Sequence, residues 1–382
     1  MSERKVCKLR DISIMRNGQK RPKGSGEYPV YGGNGIMEFS NSYNAENISV
    51  VGRVGAYCGN VHRCKGKCWI SDNAISLSAN NFVDTDYLYY LLCSLNLNHQ
   101  HIGGAQPLIT QDIIGRFEIS LPSLGEQRRI VDILIAIDRK IEINKRINDN
   151  LEQQAQALYK SWFVDFEPFK NGKFVDSEQG LIPEGWRIGE FSEICDIVGG
   201  GTPSKSRTDF YCKNGIAWLT PKDLSVSKAK FTAKGTEDIT LEGYNSSSAK
   251  LMPRGAVLFS SRAPIGYITI AKNEISTNQG FKSAVPRIAG TGYLYYYLKS
   301  NISTIESKAS GSTFKEASGA LMKSLKVIVP PTQILNDFEK EIDALFRKQE
   351  LLDDEIINLA IMRDTLLPKL MSGELKINEI YC

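Results

Sequence analysis

Two stretches of the chain repeat one hydrophobic rhythm. In the first, the seam advances by alternating steps of four and three through Ile130, Leu134, Ile137, Ile141, Leu151, Ala155, Leu158 and Trp162, with Asn144 and Asn148 as polar interruptions. A shift of 208 residues lays the second on it: Phe338, Ile342, Leu345, Leu352, Ile356, Leu359, Leu366 and Leu370, interrupted by Gln349 and Arg363. A mean period of 3.5 sustained over more than about four heptads predicts two coiled-coil helices. Each opens on proline, Pro122 and Pro330-Pro331, where the missing N–H costs nothing. About 40 residues at about 1.5 Å each make a rod of roughly 60 Å. The polar interruptions either set register across the seam or mark places where it is solvated. Pro368 is expected to kink or end the second helix.

The segments preceding the helices echo each other as well. Tyr87-Leu88-Tyr89-Tyr90-Leu91-Leu92 matches Tyr293-Leu294-Tyr295-Tyr296-Tyr297-Leu298, and both read as helices. Phe117-Glu118-Ile119-Ser120-Leu121-Pro122 matches Leu325-Lys326-Val327-Ile328-Val329-Pro330. Gly52-Arg53-Val54-Gly55 resembles Ser261-Arg262-Ala263-Pro264-Ile265-Gly266, and Ser71-Asp72-Asn73-Ala74 resembles Thr277-Asn278-Gln279-Gly280. Short β-rich runs such as Ile48–Val51 and Ala256–Phe259 lie between Gly/Asn turns. The expected order is a globular segment 1–121, a helix 122–164, a polar linker 165–182, a second globular segment 183–329, and a helix with tail 330–382. The fold class is α+β: two pseudo-repeated mixed domains joined by two long antiparallel helices.

Charge is distributed unevenly over this frame. The whole chain carries +4, yet residues 183–329 carry 19 Lys and Arg against 12 Asp and Glu, and residues 330–382 carry 6 against 11. Residues 1–121 carry 13 against 10. Basic globular segments point to a polyanion. Their cations cluster in loop-like sequence: Lys20, Arg21 and Lys23 before Tyr31-Gly32-Gly33-Asn34-Gly35, then Arg63 and Lys65, then Thr202 and Lys205 after Gly199-Gly200-Gly201. Such loops offer backbone N–H groups and cations to phosphates, with Asn, Gln and Arg for base edges. The candidate DNA contacts are therefore Lys20, Arg21, Lys23, Tyr31, Asn34, Arg53, Arg63 and Lys65 in the first half. In the second half they are Thr202, Lys205, Lys222, Arg262, Asn278, Gln279 and Lys315. Arg53 and Arg262, at matching places, read either as DNA contacts or as structural ion pairs.

Chemistry of other kinds finds little footing. No Asn/Asp-Pro-Pro-Tyr/Phe motif of an adenine methyltransferase is present, and Ser204 stands where a phosphate loop needs glycine before Lys205. The three histidines, His62, His99 and His101, have no counterparts in the second half. Cys58, His62, Cys64 and Cys68 fall within 11 residues, so they offer either four zinc ligands or buried thiols beside a turn histidine. No metal is assigned. Eight cysteines without tight repeated spacing suggest free thiols in a reducing cytoplasm. No run of 18 apolar residues and no signal-type N-terminus is seen, so neither a membrane span nor secretion is expected.

At this point the chain resembles the specificity (S) subunits of type I restriction–modification systems. The strongest carriers are Leu121-Pro122-Ser123-Leu124-Gly125-Glu126-Gln127-Arg128-Arg129-Ile130-Val131 and Ala155-Gln156-Ala157-Leu158-Tyr159-Lys160-Ser161-Trp162-Phe163. Leu181-Ile182-Pro183-Glu184-Gly185-Trp186, Gly200-Gly201-Thr202-Pro203 and Leu366-Leu367-Pro368-Lys369-Leu370-Met371-Ser372-Gly373-Glu374-Leu375 add to them. The resemblance implies two target-recognition domains, each reading part of a split sequence in double-stranded DNA, held apart by an antiparallel helical spacer. It implies a subunit without catalytic activity or cofactor of its own. Two modification (methyltransferase) subunits would carry S-adenosylmethionine, and restriction/translocase subunits would use ATP and Mg. A self-sufficient methyltransferase and a scaffold that binds only protein are the alternatives.

Overall fold

The computed structural model describes residues 4–103, 106–311 and 315–376. They form two compact units, residues 1–145 with 354–382 and residues 146–353. The two cut points, after Lys145 and after Asp353, are 208 residues apart, the period of the sequence repeat. Each unit therefore takes one globular segment and part of both long helices, and the second unit is a circular permutation of the first.

The first long helix runs Leu124–Phe163 and the second Thr332–Ser372. Within the first unit, Asn144 donates to Glu355 (2.8 Å) and Arg363 to Asp138 (3.0 Å). Within the second, Asn148 donates to Asp353 (2.5 Å), and the Gln349 amide donates to the Asn148 carbonyl (3.3 Å). Numbers rise along one helix as they fall along the other, so the pair is antiparallel in both units. Ile130, Leu134, Ile137, Ile141, Phe338, Ile342 and Leu352 are buried. Leu151, Leu158, Leu345, Ile356, Leu359 and Leu366 are partly covered. The polar interruptions pair across the seam and are not simply solvated. Pro368 does not end the second helix, which continues to Ser372.

The first unit is built on a six-stranded sheet in the order Ser13–Asn17, Ala74–Ala79, Ala45–Gly52, Val61–Ile70, Tyr28–Gly32, Gly35–Ser40. The pairing is antiparallel except between Tyr28–Gly32 and Val61–Ile70. An aromatic helix, Thr85–Ser94, packs on it, burying Tyr87, Leu88, Tyr90, Leu91 and Leu92. That helix shares one apolar cluster with Ile130, Val131 and Leu134 of the first long helix and Leu367, Leu370 and Met371 of the second. In the second unit a five-stranded sheet carries the matching aromatic helix Thr291–Ser300, over a core containing Tyr159, Phe163, Phe338, Ile342 and Phe346. An extra four-stranded sheet, with strands Tyr211–Cys212, Asp238–Ile239, Ile216–Leu219 and Ser276–Thr277, has no counterpart among the described residues of the first unit.

Two expectations are corrected here. Residues 165–182 are not a plain polar linker. They contain most of a β-hairpin, Phe174–Ser177 with Gly180–Pro183, turned at Gly180 with φ +96°. Ile182 lies in the second unit's core, and Phe166 and Phe169 pack against it. Nor are the thiols all free, because Cys64 and Cys68 form a disulfide. Four residues of regular strand span about 13 Å, but Gly66 takes φ +80° between the two cysteines and brings their Cα atoms to 6.7 Å.

Candidate nucleic-acid interface

In the second unit, the loop Gly200-Gly201-Thr202-Pro203 follows the edge strand Cys195–Gly199 and is pressed against the Thr277–Asn278 backbone. A Cβ on Gly200 would lie 2.0 Å from the Asn278 carbonyl, and one on Gly201 would lie 2.2 Å from the Ala249 nitrogen. Only glycine permits that approach. The Gly201 N–H donates to the Thr277 carbonyl (2.9 Å), the Trp218 indole to the Gly201 carbonyl (3.1 Å), and the Tyr211 hydroxyl to the Pro203 carbonyl (2.8 Å). The Thr202 hydroxyl meets the Gln279 side-chain oxygen. The loop is thus fixed from both sides, and it borders an open cleft of about 1110 Å³.

Thr202, Lys205, Lys222, Arg262, Asn278 and Gln279 all line this cleft, six of the seven second-half candidates. They come from four separate chain segments. Lys213 adds a fourth cation to Lys205, Lys222 and Arg262, against Asp223 and Glu237 on the same wall. Asp223 is committed to the fold. It accepts from the N–H and hydroxyl of Thr220 (2.8 and 2.6 Å) and of Thr236 (3.0 and 2.5 Å). Burial alone would raise its carboxyl, but these donors outweigh that and hold it below the usual carboxylate value. Lys222 stands exposed on the short helix Pro221–Ser227 that this carboxylate caps. Arg262 is half-exposed, 3.5 Å from Glu316. Lys315 lies outside the cleft and donates to the Glu306 carbonyl (3.3 Å). Tyr211, Trp218, Lys213 and Glu237 had no local sequence signal; folding alone brings them to the site.

The first unit distributes its candidates differently. Lys20, Arg21, Lys23 and Lys65 are exposed, Arg21 lying 3.4 Å from Glu38. Asn34 is exposed at a hairpin tip, where Gly35 takes φ +88°. Arg53 is half-buried, and its Nε is buried without a hydrogen-bond partner. Two candidates are corrected. Tyr31 is a core residue whose hydroxyl donates to the Arg63 carbonyl (3.1 Å), because strands pair with its own on both sides. Arg63 is a structural ion pair with Asp86, its guanidinium 5.7 Å from the Tyr89 ring centroid. The possible zinc set does not converge: the His62 ring meets the Gly33 carbonyl (3.0 Å) and the Cys58 thiol the Arg53 carbonyl (3.4 Å), while Cys64 and Cys68 bond each other.

Comparison with known proteins bears on both units. A model of the type I restriction modification DNA specificity domain matches residues 1–153 and again residues 183–358. The chain is 26% identical over 362 residues to the type I restriction enzyme HindI specificity subunit of Haemophilus influenzae, covering 77% of this chain and 78% of that protein. It is 32% identical over 197 residues to the MjaIX specificity subunit of Methanocaldococcus jannaschii, covering 49% and 45%. The crystal structure of a type I restriction–modification S subunit from M. genitalium shares the fold, with a TM-score of 0.68 at 16% identity over 97% of this chain and 96% of that one.

Proposed function

The chain belongs to the family of type I restriction–modification DNA specificity subunits, a recognition subunit and not an enzyme, and from that premise we propose that each of its units reads one part of a bipartite site in duplex DNA. The observation that carries this reading is the cleft of the second unit. Four cations, two amides and a hydroxyl from separate segments meet there against one free and one committed carboxylate. Lysines suit phosphate oxygens, while Arg262, Asn278 and Gln279 have the geometry for base edges. The antiparallel helices dock two modification subunits, and restriction subunits complete the assembly. The methyl donor S-adenosylmethionine, ATP and Mg belong to those partners in the cytoplasm. Among the described residues, no helix is long and apolar enough to cross a membrane. Neither a scaffold without DNA binding nor a self-sufficient methyltransferase is supported by the family match.

The test is to map methylated adenines made by the chain together with modification subunits. Lys222→Ala is expected to weaken binding at all sequences and flatten the salt dependence. Arg262→Ala is expected to relax sequence preference in one half-site by about tenfold, leaving the other intact. Relaxation of both half-sites by Arg262→Ala overturns the assignment.

A further inference from the structure

The first unit exposes an apolar edge strand. The outer strand of its sheet, Gly35–Ser40, is covered on neither face along Ile36, Met37, Glu38 and Phe39. Ile36 is 53% exposed, Met37 39% and Phe39 51%. An apolar edge strand is a liability that proteins ordinarily blunt. Here the strand forms the outer half of a tight hairpin with Tyr28–Gly32, closed at Gly32 and Gly35. Its tip is held by the His62 ring on the Gly33 carbonyl (3.0 Å). Asn34 is exposed at that tip.

The surroundings say what covers it. Lys20, Arg21, Lys23, Lys65 and Lys67 are exposed on the neighbouring strands and connections, against Glu27, Glu38, Glu46 and Asp72. Arg21 lies across the hairpin to Glu38, and Lys67 sits 4.5 Å from the Tyr43 ring, which meets Tyr28 at the hairpin's base. A second copy of this chain would gain little from charge, because the patch carries five cations against four carboxylates. Its strand would also meet a charged Glu38 in the middle of the edge and a register shift at Val30/Tyr31. A duplex offers what the patch lacks: phosphates for the flanking cations and apolar groups within the groove. The major groove is about 12 Å wide and admits a two-stranded ribbon, and its one apolar mark is the thymine 5-methyl group.

We infer that the hairpin Tyr28–Ser40 is the reading element of the first unit, entering the major groove so that Ile36, Met37 and Phe39 contact thymine methyl groups while Asn34 faces a base edge. The inference rests on the proposed DNA recognition and adds its chemistry: apolar thymine readout in one half-site, polar readout in the other.

The experiment uses the chain assembled with modification subunits and a labelled duplex carrying its mapped site, with each thymine replaced in turn by deoxyuridine. Replacement of at least one thymine, confined to one half-site, is expected to weaken binding about fourfold, the burial of one methyl group. That penalty is expected to vanish in Met37→Ala or Phe39→Ala, to survive in Phe39→Leu, and to survive in Phe82→Ala, an exposed aromatic outside the hairpin. Melting temperatures verify that the variants fold. A penalty that persists in both alanine variants, or no penalty at any thymine, overturns the inference while leaving DNA recognition standing. Alanine variants that lose modification subunits but keep DNA preference overturn it as well, by assigning the strand to subunit docking. A complex with no sequence preference at all sinks the underlying reading with it.

Discussion

Tyr90 and Tyr296 hold the same place in the two aromatic helices, and the hydroxyl of each donates a hydrogen bond to a carboxylate on the first long helix. In the first unit Tyr90 donates to Asp138 (2.6 Å), which also accepts from Arg363 of the second long helix. In the second unit Tyr296 donates to Glu152 (3.0 Å). Because the second unit is permuted, that helix now plays the opposite part in the pair. Under the 208-residue shift, Phe346 stands where Asp138 would be and Ala155 where Arg363 would be. The cation comes instead from the globular segment. Lys230 donates to Glu152 (2.5 Å), Gln349 (2.8 Å) and the Tyr296 oxygen (3.2 Å), 3.9 Å from the Phe346 ring centroid. Lys299 donates to the same carboxylate (2.6 Å). The repeat preserves shape and exchanges chemistry: one unit ties helix to helix, the other ties its globular segment to both helices.

The largest expected effect follows from that difference. Lys230→Met removes one partner of a largely buried ion pair, and such a loss costs about 3–5 kcal/mol. Arg363→Met breaks a pair that is about a third exposed on both sides, so screening reduces its cost to about 1 kcal/mol. Trp162, Trp186 and Trp218 lie in the second unit and only Trp69 in the first, so urea unfolding followed by tryptophan fluorescence reports the second unit preferentially. Equal losses for the two variants would break the comparison.

A smaller, signed effect sharpens it. Burial pushes Lys230 down to about 8, against the pull of Glu152. Burial also pushes the Glu152 carboxyl up, but Lys230 and Lys299 outweigh it and leave it below the usual value. Between about pH 8 and the ordinary lysine value of 10.5, the unfolded chain holds a proton that the folded chain lacks. The lysine's contribution to stability is therefore flat below about pH 8 and rises with pH through that window, by up to about 1.4 kcal/mol per pH unit. The buried Tyr295 and Tyr296 hydroxyls, raised by burial, act with the opposite sign only above about pH 10. The stability difference between parent and Lys230→Met should accordingly grow in the parent's favour from pH 8 to pH 10; a difference that shrinks over that range contradicts the account.

The helices were legible because a buried face must repeat with the helix period, and a 208-residue repeat writes that face twice. Asn144, Asn148, Gln349 and Arg363 were visible as breaks in the seam, but their partners were not, since each lies about 200 residues away on the antiparallel helix. Lys230 gave no signal at all: Lys228-Ala229-Lys230 reads as an ordinary basic loop. Its carboxylate and amide come from both long helices. Arg53 and Arg262 look equivalent in sequence, yet one is half-buried with an unpartnered Nε and the other borders a cleft. Tyr31 looked like loop because Gly32-Gly33-Asn34-Gly35 follows it, and pairing with strands on both sides turned it inward. Cations next to glycine mark where loops are; only the fold decides which of them share a surface.

The finest contrast is in how the two aromatic helices begin. In the first unit Asp84 caps its own helix, accepting from the N–H groups of Asp86 (2.9 Å) and Tyr87 (3.1 Å), while its own N–H donates to Gln127 of the first long helix (2.9 Å). In the second unit the cap position is Gly290, which has no side chain to offer, and Glu339 of the second long helix supplies the acceptor for Gly292 (2.9 Å). A Cβ on Gly290 would lie 2.2 Å from that carboxyl carbon, so the two ways of capping exclude each other. Asp84→Ala should cost about 1 kcal/mol. Glu339→Ala should cost about 1–3 kcal/mol because it strands buried N–H groups. Gly290→Asp alone should destabilise by collision with Glu339. On the Glu339→Ala background the same change should restore about 1 kcal/mol, converting the second unit to the capping of the first. Denaturant unfolding of the four chains closes that cycle. Strict additivity of Gly290→Asp and Glu339→Ala would mean that a carboxylate at position 290 does not take over the work of Glu339.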